Sequence, residues 1–130
     1  MAVDKIRVLI VDDIAETREN VRKLLQFESD VDVTGTARSG KEGIELAQEL
    51  DPDVVLMDIN MPVMNGFETT RKIRLKGVKT PIIALTAFAK EEIIEEAISA
   101  GMNDIMVKPF EPIKLFKVIT DQINKTRKAV

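Results

Sequence analysis

Short runs rich in Val and Ile recur five times along this chain, near residues 6 to 11, 31 to 37, 53 to 57, 81 to 85 and 104 to 107. A strand covered on both faces needs apolar side chains at consecutive positions, so such runs read as buried parallel strands. Between them lie segments of helical spacing: Val21, Leu24 and Leu25; Ile44, Ala47 and Leu50; Ile93, Ile94, Ala97 and Ile98; and finally Leu115, Ile119 and Ile123. Ser39 with Glu42 three residues on has the pattern of a capping box, and Gly77 and Gly101 stand where the third and fourth helices should end. Strict strand–helix alternation with right-handed crossovers predicts an α/β fold, a (βα)5 three-layer sandwich with helices on both faces of the sheet. At 130 residues and 45% apolar content, residues 1–130 suffice for one domain with one core.

Four of the runs stop at residues that carry chemistry. Val8 to Val11 ends at Asp12 and Asp13, and Val54 to Met57 ends at Asp58, with Asn60, Met61 and Pro62 behind it. Ile82 to Leu85 ends at Thr86, and Ile105 to Val107 ends at Lys108 and Pro109. Ligands of an open parallel sheet sit outside the carboxyl ends of its strands, so all these groups are expected on one rim.

Composition narrows what the rim can do. There is no cysteine and no histidine, which removes disulfides, thiolates, Cys-type zinc sites and the commonest general base. A net charge of -3 argues against direct nucleic-acid binding, which needs a clustered positive excess; the basic end Lys125 to Lys128 reads as a solvated helix terminus. No apolar run reaches the length of a membrane span, and the start Met1 to Lys5 lacks the apolar stretch of a secretory signal, so a cytoplasmic location without membrane contact is expected.

Together, Val11-Asp12-Asp13, Leu56-Met57-Asp58-Ile59-Asn60-Met61-Pro62, Leu85-Thr86-Ala87 and Val107-Lys108-Pro109-Phe110 make the chain resemble, over essentially its whole length, a receiver domain of bacterial two-component response regulators. The resemblance implies a flavodoxin-like fold with strand order 2-1-3-4-5 and a site at the switch point between the first and third strands. It implies Asp58 as phosphoacceptor and Asp12 and Asp13 as the acidic pair holding Mg²⁺ with Asp58 and the backbone carbonyl of Asn60. Thr86 would be the switch hydroxyl and Lys108 the phosphoryl contact. Such a domain is no enzyme in its own right, although it assists its own phosphorylation and dephosphorylation. Its implied partners are a histidine kinase or histidine phosphotransfer protein and a downstream effector protein.

The chemistry is consistent with those roles. Three converging carboxylates either raise one another's pKa or are neutralised by a cation, and oxygen-only ligands favour a hard one such as Mg²⁺. Phosphoryl transfer to a carboxylate needs positioning and charge stabilisation rather than a general base, so the missing histidine is no obstacle. Each residue alone has a plainer reading. Asp12 and Asp13 could cap a helix, Asp58 could form a turn, Thr86 could be an ordinary strand-end hydroxyl and Lys108 a surface lysine. Their coincidence on one rim, in the family's order, is what the plainer readings leave unexplained.

Two positions depart from the family's common pattern. Ile105 stands three residues before the lysine, where the family often carries an aromatic ring, so output through a rotating ring is not expected. Phe88, two residues past Thr86, either excludes water from the site or packs on the loop with little effect. No output domain is expected beyond the fifth helix, and the expected alternatives are a single-domain regulator, a phosphorelay intermediate, or the receiver part of a larger regulator or hybrid histidine kinase. Glu91, Glu92, Glu95 and Glu96 with Lys114 and Lys117 could steer pairing, including a homodimer, through the face of helix four, strand five and helix five. A phosphorylation-independent docking module on the same fold is the competing reading. A flavodoxin-like redox protein is disfavoured because Asp12 and Asp13 would repel a flavin phosphate.

Overall fold

The computed structural model describes residues 5–128, with side-chain surroundings for residues 5–126. Most of the start read above for a secretory signal, residues 1–4, and the side chains of Arg127 and Lys128 in the basic end therefore lie outside the described residues.

Strands β1 (Ile6–Val11), β2 (Val31–Ala37), β3 (Val54–Asp58), β4 (Ile82–Thr86) and β5 (Asp104–Val107) alternate with helices α1 (Ala15–Gln26), α2 (Gly40–Leu50), α3 (Gly66–Leu75), α4 (Glu91–Ala100) and α5 (Pro112–Lys128). All strand pairs are parallel and the order is β2-β1-β3-β4-β5, as expected. β3 and β4 each run one residue later than their apolar runs suggest, because Asp58 and Thr86 still pair in the ladder, with Leu85 and Val107 respectively. A polar side chain does not end a strand whose backbone partners continue. No described helix is long and apolar enough to cross a membrane.

The two-residue period of each strand divides the core in two. Leu9, Val11, Val55, Met57, Ile82 and Ala84 face Ala47, Phe67, Ile73, Ala97 and Ala100 of α2, α3 and α4. Val8, Ile10, Val54, Leu56, Ile83 and Leu85 face Val21, Leu25, Leu115, Ile119 and Ile123 of α1 and α5. Each of these large side chains, fully buried, contributes about 1.5–3 kcal/mol relative to exposure. One expectation fails in α4. Ile94 and Ile98 are 39% and 68% exposed, because the face turned to the sheet runs through Ile93, Ala97 and Ala100.

The caps are largely those read from the sequence. Ser39 Oγ accepts from the Glu42 N–H at 3.1 Å, although the Glu42 carboxylate takes the Arg38 N–H rather than that of Ser39. Asn65 performs the same service for α3, accepting from the Glu68 N–H at 2.9 Å. Gly101 ends α4 at φ 104, a conformation that an L side chain rarely adopts.

Candidate functional site

Register decides which side chains meet. Val11 pairs with Met57 and Thr86 with Val107, so the residues at the ends of β1, β3, β4 and β5 stand at one edge of the sheet. The Lys108 N–H donates to the Thr86 carbonyl at 2.8 Å, extending this order past β5. Asp12, Asp58 and Thr86 are buried, Asp13 and Lys108 are half-buried, and Asn60 is exposed. All six residues anticipated from the sequence therefore lie on or beside this edge.

Carboxylate oxygens of Asp12, Asp13 and Asp58 lie within 4.8 Å of one another. Asp12 Oδ2 and Asp13 Oδ1 are buried and have no hydrogen-bond partner. Buried carboxylate oxygens without a hydrogen bond are costly, and the three aspartates bring oxygens within reach of one ion, which fits a hard cation with oxygen ligands. Neither aspartate caps α1. The N-cap residue is Ile14, without a side-chain cap, and Asp12 Oδ1 instead accepts from the Ile14 N–H at 2.9 Å. Lys108 Nζ stands 3.5 Å from Asp58 Oδ1 and 3.9 Å from Asp12 Oδ2. Asp58 Oδ1 also accepts from the Asn60 N–H at 3.3 Å.

Burial, reinforced by the neighbouring Asp12 charge, pushes the Asp58 carboxyl up to about 6, against the opposing pull of Lys108 and the Asn60 N–H. Burial also raises the Asp12 carboxyl, opposed by the Ile14 N–H and Lys108. One ammonium does not neutralise this cluster, and the surplus is negative.

Thr86 Oγ1 is engaged by Phe88: it donates to the Phe88 carbonyl at 2.9 Å and accepts from the Phe88 N–H at 3.2 Å. The Phe88 ring is 68% exposed on the loop after β4. Ile105 is half-buried against the α2–α3–α4 half of the core.

Three supporting residues escape notice in the sequence. Gly66 opens α3 directly against β3, where an added Cβ would lie 2.4 Å from the Asp58 carbonyl oxygen. The Asn-Gly pair at 65–66 is the visible trace of this close approach. Val63 adopts φ 68 at the centre of a tight turn closed by Met64 N–H to Pro62 carbonyl at 2.7 Å, and nothing about a valine signals that conformation. Arg18, one turn into α1, donates from Nη1 to the Asp12 carbonyl at 2.9 Å. The Lys108–Pro109 peptide bond is cis.

On the face of α4, β5 and α5, Ile94, Ile98, Val107 and Ile113 are exposed. The charges expected to steer pairing there are partly engaged at home. Glu96 pairs with Arg71 of α3 at 2.6 Å, Lys114 with Glu111 at 3.7 Å and Lys117 with Asp121 at 3.1 Å. Exposed pairs of this kind contribute little to stability.

Comparison with known proteins agrees with this fold. The chain is 38% identical over 112 residues to the nitrate/nitrite response regulator protein NarL of Escherichia coli, covering 86% of this chain and 52% of the relative. It is 38% identical over 122 residues to the chemotaxis protein CheY of Thermotoga maritima, covering 94% and 98%. The chain thus spans about half the length of NarL and nearly all of CheY. Among solved structures, the signal receiver domain of the putative response regulator NarL from Mycobacterium tuberculosis superposes with a TM-score of 0.89 at 28% identity, covering 94% of this chain and 98% of that one. Residues 8–120 match the family model of the response regulator receiver domain, and the chain belongs to that family.

Proposed function

We propose that this domain is a phosphorylation-activated switch of a cytoplasmic two-component system, in which Asp58 accepts a phosphoryl group from a phosphohistidine of a partner kinase or histidine phosphotransfer protein. The observation that carries this reading is the gathering of the Asp12, Asp13 and Asp58 oxygens within 4.8 Å of one another, with the Lys108 ammonium on Asp58. Receiver domains bind Mg²⁺ at such a cluster, and Asp12, Asp13, Asp58 and the backbone carbonyl of Asn60 would hold it here. Bound Mg²⁺ neutralises carboxylate and phosphoryl charge in the transfer.

The chain's own groups supply the rest. Lys108 and the Asn60 N–H occupy Asp58 Oδ1, leaving Oδ2 to attack phosphorus. The new P–O bond forms as the P–N bond to the donor imidazole breaks. That electron pair stays on the ring nitrogen, which takes its proton from solvent. No general base is required of the acceptor, because above about pH 6 Asp58 is already ionised. Lys108 then faces a group carrying about -1.5 to -2 charge.

That new dianion competes with the Phe88 carbonyl for the Thr86 hydroxyl. Turning Thr86 inward breaks both of its bonds to Phe88 and releases the loop leading to α4. The effector protein is expected to read the α4–β5–α5 face, where the exposed Ile94, Ile98, Val107 and Ile113 offer apolar surface. Incubation with Mg²⁺ and acetyl phosphate tests the reading. Phosphate mass should appear on the wild type and be absent from Asp58→Asn, and labelling of Asp58→Asn to the wild-type extent would refute it.

A further inference from the structure

Asp13 presents a buried carboxylate oxygen with no hydrogen-bond partner. Its direction is therefore set by the backbone of the turn between β1 and α1. That turn has few tethers. The Asp12 N–H is tied to the Ala37 carbonyl at 3.0 Å as a continuation of the sheet, and Asp12 Oδ1 takes the Ile14 N–H. The Asp12 carbonyl is tethered by the guanidinium of Arg18, whose Nη1 donates to it at 2.9 Å. That carbonyl belongs to the peptide group joining Asp12 to Asp13. Its plane fixes how the second carboxylate is aimed relative to the first.

Arg18 is itself well held. It lies in the first turn of α1, its N–H bonded to the Ile14 carbonyl at 3.0 Å, and its side chain is half-buried. α1 has no side-chain cap at Ile14, so the guanidinium adds to the Asp12 Oδ1 bond in securing the entry of the helix. Resting on the reading of Asp12 and Asp13 as Mg²⁺ ligands, we infer that Arg18 is a positioning residue for the metal pair, clamping the Asp12–Asp13 peptide plane so that both carboxylates are aimed before the ion arrives.

Two opposing effects of Arg18 must be weighed. Its positive charge disfavours a second cation nearby, whereas its hydrogen bond removes the cost of ordering the turn. The guanidinium is directed at a backbone carbonyl rather than at a ligand oxygen, and its charge is partly solvated, so the ordering effect dominates. Loss of the clamp should then weaken Mg²⁺ binding even though it removes a positive charge.

The test is a Mg²⁺ titration of the full chain followed by amide NMR, with melting temperature measured in parallel. Arg18→Met should bind Mg²⁺ about tenfold more weakly, the scale of ordering the backbone of one residue, which the ion must then bring about. Line broadening in the metal-free protein should be confined to residues 12–15. Arg18→Lys keeps the charge but loses the planar donor, so it should also bind more weakly than the wild type. Arg22→Met removes a positive charge one turn further along α1, from a residue paired with Glu19, and should leave Mg²⁺ affinity unchanged. Unchanged or tighter binding by Arg18→Met and Arg18→Lys, beside a wild type that titrates normally, overturns this inference alone. A wild type that does not respond to Mg²⁺ overturns the metal-site reading and this inference with it.

Discussion

The ammonium of Lys108 stands 3.5 Å from Oδ1 of Asp58, a contact between residues 50 positions apart in the chain. It pairs a cation with a buried carboxyl, yet burial and the Asp12 charge outweigh Lys108 and push that carboxyl up to about 6.

This imbalance has a measurable consequence for stability. Folded Asp58 binds a proton more tightly than the unfolded chain, whose carboxyl has the ordinary value of 3.8, so ionisation opposes folding. The stabilisation due to the protonated form is fully present below that value and is lost as pH rises through about 6. Asp58→Asn escapes this loss. Urea denaturation without divalent cation should find the variant gaining on the wild type by about 2–3 kcal/mol between pH 4 and pH 7.5, at about 1.36 kcal/mol per pKa unit. Mg²⁺ should narrow the gap. A gap independent of pH would contradict the assignment of the raised carboxyl to Asp58.

Thr86 is held by Phe88 through one bond donated and one accepted. Thr86→Ala should still accept phosphate at Asp58. On addition of beryllofluoride it should lose most of the amide chemical-shift change over residues 87–106 that the wild type displays. With Ile105 in place of a ring, even the wild-type response should be concentrated in the loop before α4. Full-sized shifts in Thr86→Ala would mean that the signal leaves by another route.

Gly66 is the point at which α3 touches the backbone of Asp58. Alanine there gains helix propensity of about 1 kcal/mol. Its Cβ, however, would meet the Asp58 carbonyl oxygen at 2.4 Å and Ile59 Cα at 2.9 Å, and backbone cannot step aside as a side chain can. Overpacking should win. Gly66→Ala is expected to lose about 1–3 kcal/mol in thermal or urea unfolding and to bind Mg²⁺ more weakly than the wild type. Wild-type values of both would show that the approach is looser than the structure has it.

Val63 is fully exposed at φ 68, a conformation that costs an L residue roughly 1–2 kcal/mol and is worst for β-branched side chains. Asparagine tolerates it. Val63→Asn should raise stability by about 0.5–1 kcal/mol without altering phosphorylation of Asp58, since the side chain buries nothing. Differential scanning calorimetry of the two proteins decides the matter, and a lower melting temperature for the variant would count against the strain.

The sequence by itself determined the number, type and chain order of the elements, because strand burial on both faces imposes consecutive apolar residues and helix burial imposes the 3.6-residue period. It also determined which residue types stand at the strand ends, and hence Asp12, Asp13, Asp58, Thr86 and Lys108 as candidates. Tertiary structure alone decided what depends on distance between remote segments. Ladder pairing carried β3 and β4 through Asp58 and Thr86, and α4 turned Ile93, Ala97 and Ala100 to the sheet, leaving Ile94 and Ile98 exposed although their spacing is that of a buried face. The approach of α3 to β3 made Gly66 necessary, and the turn after β1 placed the Asp12 carbonyl within reach of Arg18. A periodic pattern records which face of an element is apolar. It does not record how closely two backbones approach or which free carbonyl a long side chain will find, because those are set by the packing of the whole chain.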